Sequence, residues 1–169
     1  MSAYADAIEE SLADPDPWHG FCAYIERVCA MQAEDRGFTE VLTLTFPTAG
    51  SFEARRNEAS RGFTELIARA KEAGRLRSDF CAEDLVLLLM ANAGVVAATA
   101  DAAPDAWRRL VAHMTQAFAA DHGDVLPPAP TGESLYRAML RLSVKGGTYE
   151  SAMASESSSP GRGPAERVS

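Results

Sequence analysis

Hydrophobic residues recur with the period of an α-helix along most of this chain of 169 residues. The first apolar face runs from Tyr4 to Leu12, and the next helix is predicted to begin at Pro17, behind the capping carboxylate of Asp16. The same pattern predicts further helices at 37–46, 51–73, 82–100 and 104–121, and a short one after Thr131. Residues that favour strands are sparse, and no stretch alternates between apolar and polar side chains. The fold is therefore predicted to be all-α.

Two helix ends carry informative residues. Gly74 stands where a left-handed C-terminal cap is expected for the helix at 51–73. Cys81 stands where the helix at 82–100 would be capped, although Ser, Thr or Asp is the stronger choice there. We therefore expect either a less firm start for that helix or a cap supplied by Asp79.

The predicted helix at 82–100 has no polar face. Its apolar run, from Leu85 to Ala98, contains one strongly polar side chain, that of Asn92. A helix of this kind must be covered on all sides, in a large core, in a membrane or by a partner chain. The chain is too small to bury it completely, and the run is shorter than the roughly 18 to 20 residues of a bilayer span. A second subunit is the expected cover.

The amide of Asn92 needs hydrogen-bond partners if it is buried. It can pair across the dimer, bond to backbone or point into a ligand cavity, and a structural amide is the favoured interpretation. The small residues Ala91, Gly94 and Ala98 follow each other at helical spacing and would let another helix approach closely.

The charge and the cysteine content of the chain indicate which partners and which cellular compartment to expect. The net charge is −8, and an acidic domain is a poor partner for a phosphate backbone. The basic residues between Arg55 and Arg77 alternate with glutamates, which is typical of a solvated helix face. Three cysteines without motif spacing and an acidic, amphipathic N-terminus without signal-peptide character favour a cytoplasmic location.

The composition changes after residue 142. Of the 27 residues at 143–169, 13 are Ser, Gly or Pro, and large apolar side chains are sparse. Such a segment cannot bury enough surface to fold. We predict one folded domain at 1–142 and a disordered tail at 143–169.

Four segments carry a resemblance to a known family. They are Leu-Ile-Ala-Arg-Ala-Lys-Glu-Ala-Gly-Arg-Leu-Arg at 66–77, Glu-Asp-Leu-Val-Leu-Leu-Leu-Met-Ala-Asn-Ala-Gly at 83–94, Trp-Arg-Arg-Leu at 107–110 and Leu-Tyr-Arg-Ala-Met-Leu at 135–140. In order and length they resemble the C-terminal, ligand-binding and dimerisation domain of tetracycline-repressor (TetR) family transcriptional regulators, over about residues 3–142. The resemblance implies an orthogonal helical bundle with a two-helix dimerisation face, a homodimer, a small apolar effector, and neither enzymatic activity nor a cofactor.

Members of that family begin with a helix-turn-helix domain, and nothing in this sequence resembles one. The segment from Tyr4 to Leu12 resembles the distal part of the helix that joins the two halves. A recognition helix needs basic and polar residues that face the major groove, whereas this N-terminus offers Asp6, Glu9 and Glu10. We expect a fragment or a stand-alone sensor, which would contact DNA only through a domain missing from this sequence and would not bind a membrane.

The resemblance and the apolar pattern together predict two sets of site residues. Effector-binding residues are expected among the helices at 17–33, 37–46, 51–73 and 82–100, namely Trp18, Phe21, Cys22, Ile25, Phe38, Leu42, Phe63, Ile67, Met90 and Asn92. Dimer contacts are expected from the last two long helices, namely Leu88, Ala91, Val95, Ala98, Trp107, Leu110, Val111, Met114 and Phe118. The aromatic members of the first set could equally be core residues.

Other functions have weaker support. His19, Cys22, Glu26 and Cys29 share one helix face, which makes a small helical enzyme or metal-binding protein an alternative. A straight helix spaces them too widely to close on one metal ion, so no metal site is predicted. Cys81, at a helix N-terminus, could be a redox sensor with a lowered thiol pKa, although a structural cysteine is favoured. A truncated relative that forms mixed dimers with full-length regulators is a further alternative. No catalytic motif is recognisable.

Overall fold

The computed structural model describes residues 3–34, 53–121, 124–135 and 137–138. Five helices lie within these ranges: α1 (Ala3–Leu12), α2 (Pro17–Glu34), α3 (Glu53–Glu72), α4 (Ala82–Thr99) and α5 (Ala106–Phe118). Residues 132–135 add a helical turn. In the same ranges the one extended pairing is an isolated bridge between Leu76 and Ala119. The all-α prediction is confirmed, while the predicted helix at 37–46 and the predicted tail at 143–169 lie outside the described residues.

The helix ends follow local chemistry. The Asp16 carboxylate accepts hydrogen bonds from the backbone N–H groups of Trp18 and His19, at 2.9 and 3.2 Å, so the predicted cap of α2 is confirmed. Gly74 has a φ of +66° and forms the predicted left-handed end of α3.

The start of α4 is capped by a residue other than Asp79. The Asp84 carboxylate accepts a 2.8 Å hydrogen bond from the backbone N–H of Cys81, so the capping contact is made from inside the helix. The alternative cap, Asp79, is wrong, because its carboxylate instead binds the Arg77 side chain and the backbone N–H of Leu126.

Helix α2 lies at the centre of the fold and packs against each of the other four described helices. Its inward face carries Phe21, Ile25, Val28 and Cys29, which are almost completely buried. Their spacing of three and four residues keeps them on one face. Because α2 packs on all four of these helices, a shift in its position would displace both α1 and α4.

The connection between α3 and α4 is fastened to the end of α5. The side chain of Arg77 donates to the Asp79 carboxylate and to the backbone oxygen of Asp124, the latter at 2.9 Å. Its backbone N–H donates to the oxygen of Phe118 at 3.0 Å. Arginine suits this position because its planar guanidinium can serve several acceptors at once. This junction holds the C-terminal ends of α3 and α5 together.

Helix α1 lies directly on α2 and α3. A Cβ built at Gly20 would come within 2.4 Å of the backbone oxygen of Ser11, and one built at Gly62 within 2.3 Å of Cγ2 of Ile8. Arg69 of α3 also donates a 2.6 Å hydrogen bond to the backbone oxygen of Leu12. Glycine is required where the helices approach so closely, and we call this contact the α1 surface.

Candidate functional site

The predicted effector residues occupy two separate places along α2. Trp18 and Phe21 lie in its first two turns, and Phe63 of α3 packs against Phe21. Asn92 of α4 instead lies beside Cys29 and Gln32, near the other end of α2. At 1.5 Å per residue, Trp18 and Gln32 are roughly 20 Å apart along the helix axis. The set thus divides into an aromatic cluster and a buried amide pair.

The aromatic cluster is a set of directly contacting rings. Phe21 stacks on Trp18 and Phe63, with ring centroids 5.7 and 6.4 Å apart, and meets Phe80 edge to face at 5.3 Å. Phe80 in turn meets Phe118 at 4.9 Å. Such offset and edge-to-face contacts are the favourable geometries for aromatic pairs. The cluster joins α2, α3, α5 and the segment before α4 into one core.

Two members of this cluster were absent from the predicted sets. Tyr24 packs on Phe63 at 5.2 Å, and Phe80 is buried at the centre of the cluster. A sequence signal for Phe80 exists: an apolar residue just before a helix cap, with Leu85 at the fourth helical position, is the pattern of a hydrophobic staple. Both Phe80 and Leu85 are buried in the described core.

The amide pair consists of Gln32 and Asn92, which are 3% and 0% exposed. The Asn92 side-chain NH₂ group donates to the backbone oxygen of Cys29 at 3.2 Å and to Oε1 of Gln32 at 2.8 Å. Gln32 was not predicted, because a single glutamine near the end of a helix gives no sequence signal that its side chain is buried. Bonding to backbone, one of the three possibilities for Asn92, is observed at its NH₂ group, which also bonds to the Gln32 side chain, so this side of the amide holds α4 against α2.

The chemistry of the neighbours determines how the two amides are oriented. A backbone carbonyl can only accept, so the Asn92 atom beside the Cys29 oxygen must be Nδ2. Gln32 then presents its oxygen to Nδ2. This arrangement leaves Oδ1 of Asn92 and Nε2 of Gln32 buried without a hydrogen-bond partner among the described residues. Such atoms are rare in folded proteins and call for an explanation.

The remaining effector residues have varied positions. Ile25 and Ile67 are buried in the core, and Cys22 is half-buried against it. Met90 is half-buried but is not among the side chains that pack on the described core. Phe38 and Leu42 lie outside the described residues.

The second predicted set concerns the dimer interface. Helix α4 buries five of its 18 residues, all on the side facing α2 and α5. Leu87, Ala91, Gly94 and Ala98 form one exposed stripe on the opposite side, which we call the outer face of α4. Gly94 has nothing within 4 Å of a built Cβ. This apolar surface has no cover within the described chain.

The other predicted interface residues lie deeper. Val95, Leu110 and Met114 are half-buried and pack on the edge of the core, whereas Leu88, Trp107, Val111 and Phe118 are at most 5% exposed within one chain. Burial in the subunit already accounts for the apolar character of the latter four. Their contact with a partner remains a prediction.

Helix α4 also satisfies a membrane-span criterion. Among the described helices it is the one long and apolar enough to cross a bilayer, judged by length and composition alone. The core or interface helix of a soluble protein satisfies the same criterion, so this property does not separate the two environments.

The metal and redox alternatives find no support in the described residues. No three His, Cys, Asp or Glu side chains there are grouped to hold a metal ion. His19 instead pairs with Asp14 at 2.5 Å. Burial raises the pKa of the Cys22 and Cys29 thiols to about 12. Burial and the nearby Asp84 raise the pKa of Cys81 to about 11, so a lowered thiol pKa at Cys81 is wrong.

Comparison with known proteins gives one family. Residues 16–120 match the family model described as the C-terminal domain of SbtR-like transcriptional regulators, which is of TetR type. The match covers more than half of the chain and includes α2 to α5. No curated protein matches.

Proposed function

This chain belongs to the family of SbtR-like C-terminal domains of TetR-type transcriptional regulators, and on that premise we propose that it is a homodimeric effector-sensing domain in the cytoplasm. The family supports a general role in ligand binding and dimerisation and a regulatory rather than an enzymatic activity. The effector would be a small, predominantly apolar molecule bound among α2, α3 and α4. DNA binding would belong to an attached helix-turn-helix domain.

The observation that carries this proposal is the outer face of α4. Leu87 is 41% exposed although it lies in an apolar helix, and Ala91, Gly94 and Ala98 continue the same exposed stripe. Exposing an apolar helix face to water is unfavourable, at roughly 25 cal/mol per Å² of apolar surface. A second copy of α4 and α5 would cover this face, and the small side chains would allow close approach.

The sensing mechanism follows from the central position of α2. An effector with different affinities for two arrangements of α2 and its neighbours shifts the population between them. Because α1 packs directly on α2 through Gly20 and on α3 through Gly62, such a shift would move α1. In a longer chain α1 would carry the movement to the DNA-binding domain.

The dimer is tested with a matched pair of charged variants of the full chain. Ala91→Glu places a carboxylate on the outer face of α4, whereas Ala23→Glu places one on an exposed position of α2. Sedimentation equilibrium should give a dimer for the wild type and for Ala23→Glu and a monomer for Ala91→Glu, because burying an unpaired charge is costly. A wild type that stays monomeric, or an Ala91→Glu variant that dimerises as tightly as the control, would contradict the proposal.

The sensing role is tested by thermal unfolding with a library of small apolar compounds. A ligand that binds the folded state raises Tm, and the increase grows with the logarithm of the ratio of ligand concentration to dissociation constant. At least one chemical class should raise the Tm of the wild-type dimer. If none does, the domain has no effector-sensing role.

A further inference from the structure

The two unpartnered atoms of the amide pair form a matched donor and acceptor. Nε2 of Gln32 can donate and Oδ1 of Asn92 can accept, and both belong to side chains that are at least 97% buried. Oδ1 of Asn92 shares its amide group with Nδ2, and Nε2 of Gln32 shares its amide group with Oε1. Nδ2 and Oε1 form the 2.8 Å hydrogen bond between the two residues. Both atoms are fully buried, so a small polar group would reach them only after α2 and α4 move apart.

The described hydrogen-bond partners of the pair are uncharged. Both side chains are neutral amides, and the neighbouring Cys29 thiol stays protonated at physiological pH because burial raises its pKa. A charged ligand group placed there would lose its hydration without gaining a counter-charge, which is unfavourable. The polar group that fits is neutral and has one donor and one acceptor.

The pair also joins the two helices on which the proposed function depends. Gln32 belongs to α2, which packs on α1, and Asn92 belongs to α4, which carries the proposed dimer face. A ligand group bonded to both would fix the spacing between these helices. The spacing between α2 and α4 would then differ between the ligand-bound and the ligand-free site.

We propose that Gln32 and Asn92 recognise a carboxamide or lactam group on an otherwise apolar effector. The amide N–H of the ligand would donate to Oδ1 of Asn92, and its carbonyl oxygen would accept from Nε2 of Gln32. This inference rests on the proposed effector-sensing function and names the ligand chemistry of the site.

The test compares two probes of equal chain length by calorimetry on the full-length wild-type chain. Octanamide can both donate and accept, whereas methyl octanoate can only accept. The wild type should bind octanamide about tenfold more tightly, which corresponds to about 1.4 kcal/mol. In Asn92→Leu the two dissociation constants should agree within about a factor of two, because the acceptor for the ligand N–H is gone. Gln32→Met removes the donor that serves the carbonyl oxygen of both probes, so it should weaken the binding of both and keep the preference for octanamide. Gln116→Met, at an exposed position of α5, is the matched control and should keep the tenfold preference.

Measuring Tm with each probe separates recognition from a purely structural role. Without ligand, Gln32→Met and Asn92→Leu should both unfold at lower temperature, because each removes the 2.8 Å bond between the two side chains. If the unpartnered atoms recognise an amide, octanamide should raise the Tm of the wild type by more than methyl octanoate does, and this difference should be absent in Asn92→Leu. If the pair instead holds an ordinary buried water that supports the fold, the wild type shows no amide preference. That result would overturn the inference.

The inference and the proposed function fail in different ways. If wild type and variants bind octanamide and methyl octanoate equally well, the inference is wrong and the sensing role stands. If the wild type binds neither probe and no compound of the apolar library raises its Tm, the sensing role is wrong and the inference falls with it.

Discussion

The α1 surface and the outer face of α4 both depend on small residues in helices, but only the first is filled by the chain itself. At the α1 surface, Gly62 meets Ile8 and Gly20 meets the backbone of Ser11. At the outer face of α4, Gly94 meets nothing within 4 Å. The absence of a side chain at glycine therefore has a different role in the two places. At the α1 surface it makes room for a helix of the same chain, and at the outer face of α4 it leaves room that we assign to a partner subunit.

The α1 surface and the outer face of α4 also differ in their polar contacts. At the α1 surface, Arg69 bonds to the end of α1, and Asp14 pairs with His19 in the turn that follows. The outer face of α4 has no charged side chain along its stripe from Leu87 to Ala98. The contact of α1 is therefore fixed in part by specific polar bonds, whereas the outer face of α4 is purely apolar. An unbonded surface of this kind suits association with another subunit.

Gly20→Ala should give the largest loss of stability. Its new methyl group would lie 2.4 Å from a backbone oxygen, which cannot move without displacing the end of α1. Overpacking of this kind costs about 1–3 kcal/mol, offset in part by the better helix propensity of alanine. We expect a net loss of about 1–2 kcal/mol in urea unfolding. An unchanged or increased stability would show that α1 does not pack on α2 as described.

Gly62→Ala should be destabilising by about 1 kcal/mol, because its Cβ would meet Cγ2 of Ile8 at 2.3 Å. The β-branched side chain of Ile8 has little freedom to move away. In an Ile8→Ala background the new methyl group at position 62 has room, so the same change should become neutral or stabilising. A double-mutant cycle by urea unfolding measures this coupling. Additive effects would mean that Ile8 and Gly62 are not in contact.

Gly94→Ala should have effects of opposite sign on the monomer and the dimer. No atom of the described chain blocks the new methyl group, so the monomer should gain about 0.5–1 kcal/mol from helix propensity. This gain is measured in the monomeric Ala91→Glu background. In the wild-type background the dimer should dissociate more readily, as followed by sedimentation at several concentrations. Equal dimer affinity before and after the change would place the partner on a different surface.

His19→Gln should have the smallest effect, and that effect should depend on pH. The hydrogen bond with Asp14 raises the pKa of His19 and lowers the pKa of Asp14. The His19 contribution is therefore fully present below its unfolded pKa of about 6.5 and is lost as pH rises through the raised pKa. The Asp14 contribution is lost as pH falls through its lowered pKa.

The corresponding measurement is the Tm difference between wild type and His19→Gln across pH. It should be largest between the lowered pKa of Asp14 and about pH 6.5, and it should disappear as pH rises past the raised pKa of His19. High salt should reduce it, because both groups are accessible to solvent. A difference that persists unchanged to high pH would mean that His19 acts by packing rather than by charge.

Much of the fold is encoded locally in the sequence. The Asp16 cap, the left-handed Gly74 and the bounds of α2 and α4 follow from interactions within a few residues of each position. Such interactions depend on spacing along one helix, which the sequence displays directly. The TetR-type family was recognisable for the same reason, since its match consists of helical segments in order.

Tertiary structure decided which residues meet. Asn92 and Gln32 are 60 positions apart and pair because α2 and α4 cross there, and Phe80 joins the aromatic cluster because the Arg77 junction folds its segment under α5. Periodicity shows that a residue faces inward but not which neighbour it will face. For this reason the sequence could select Asn92 as a buried amide, whereas its glutamine partner and the two atoms left without a bond became visible only when the helices were packed.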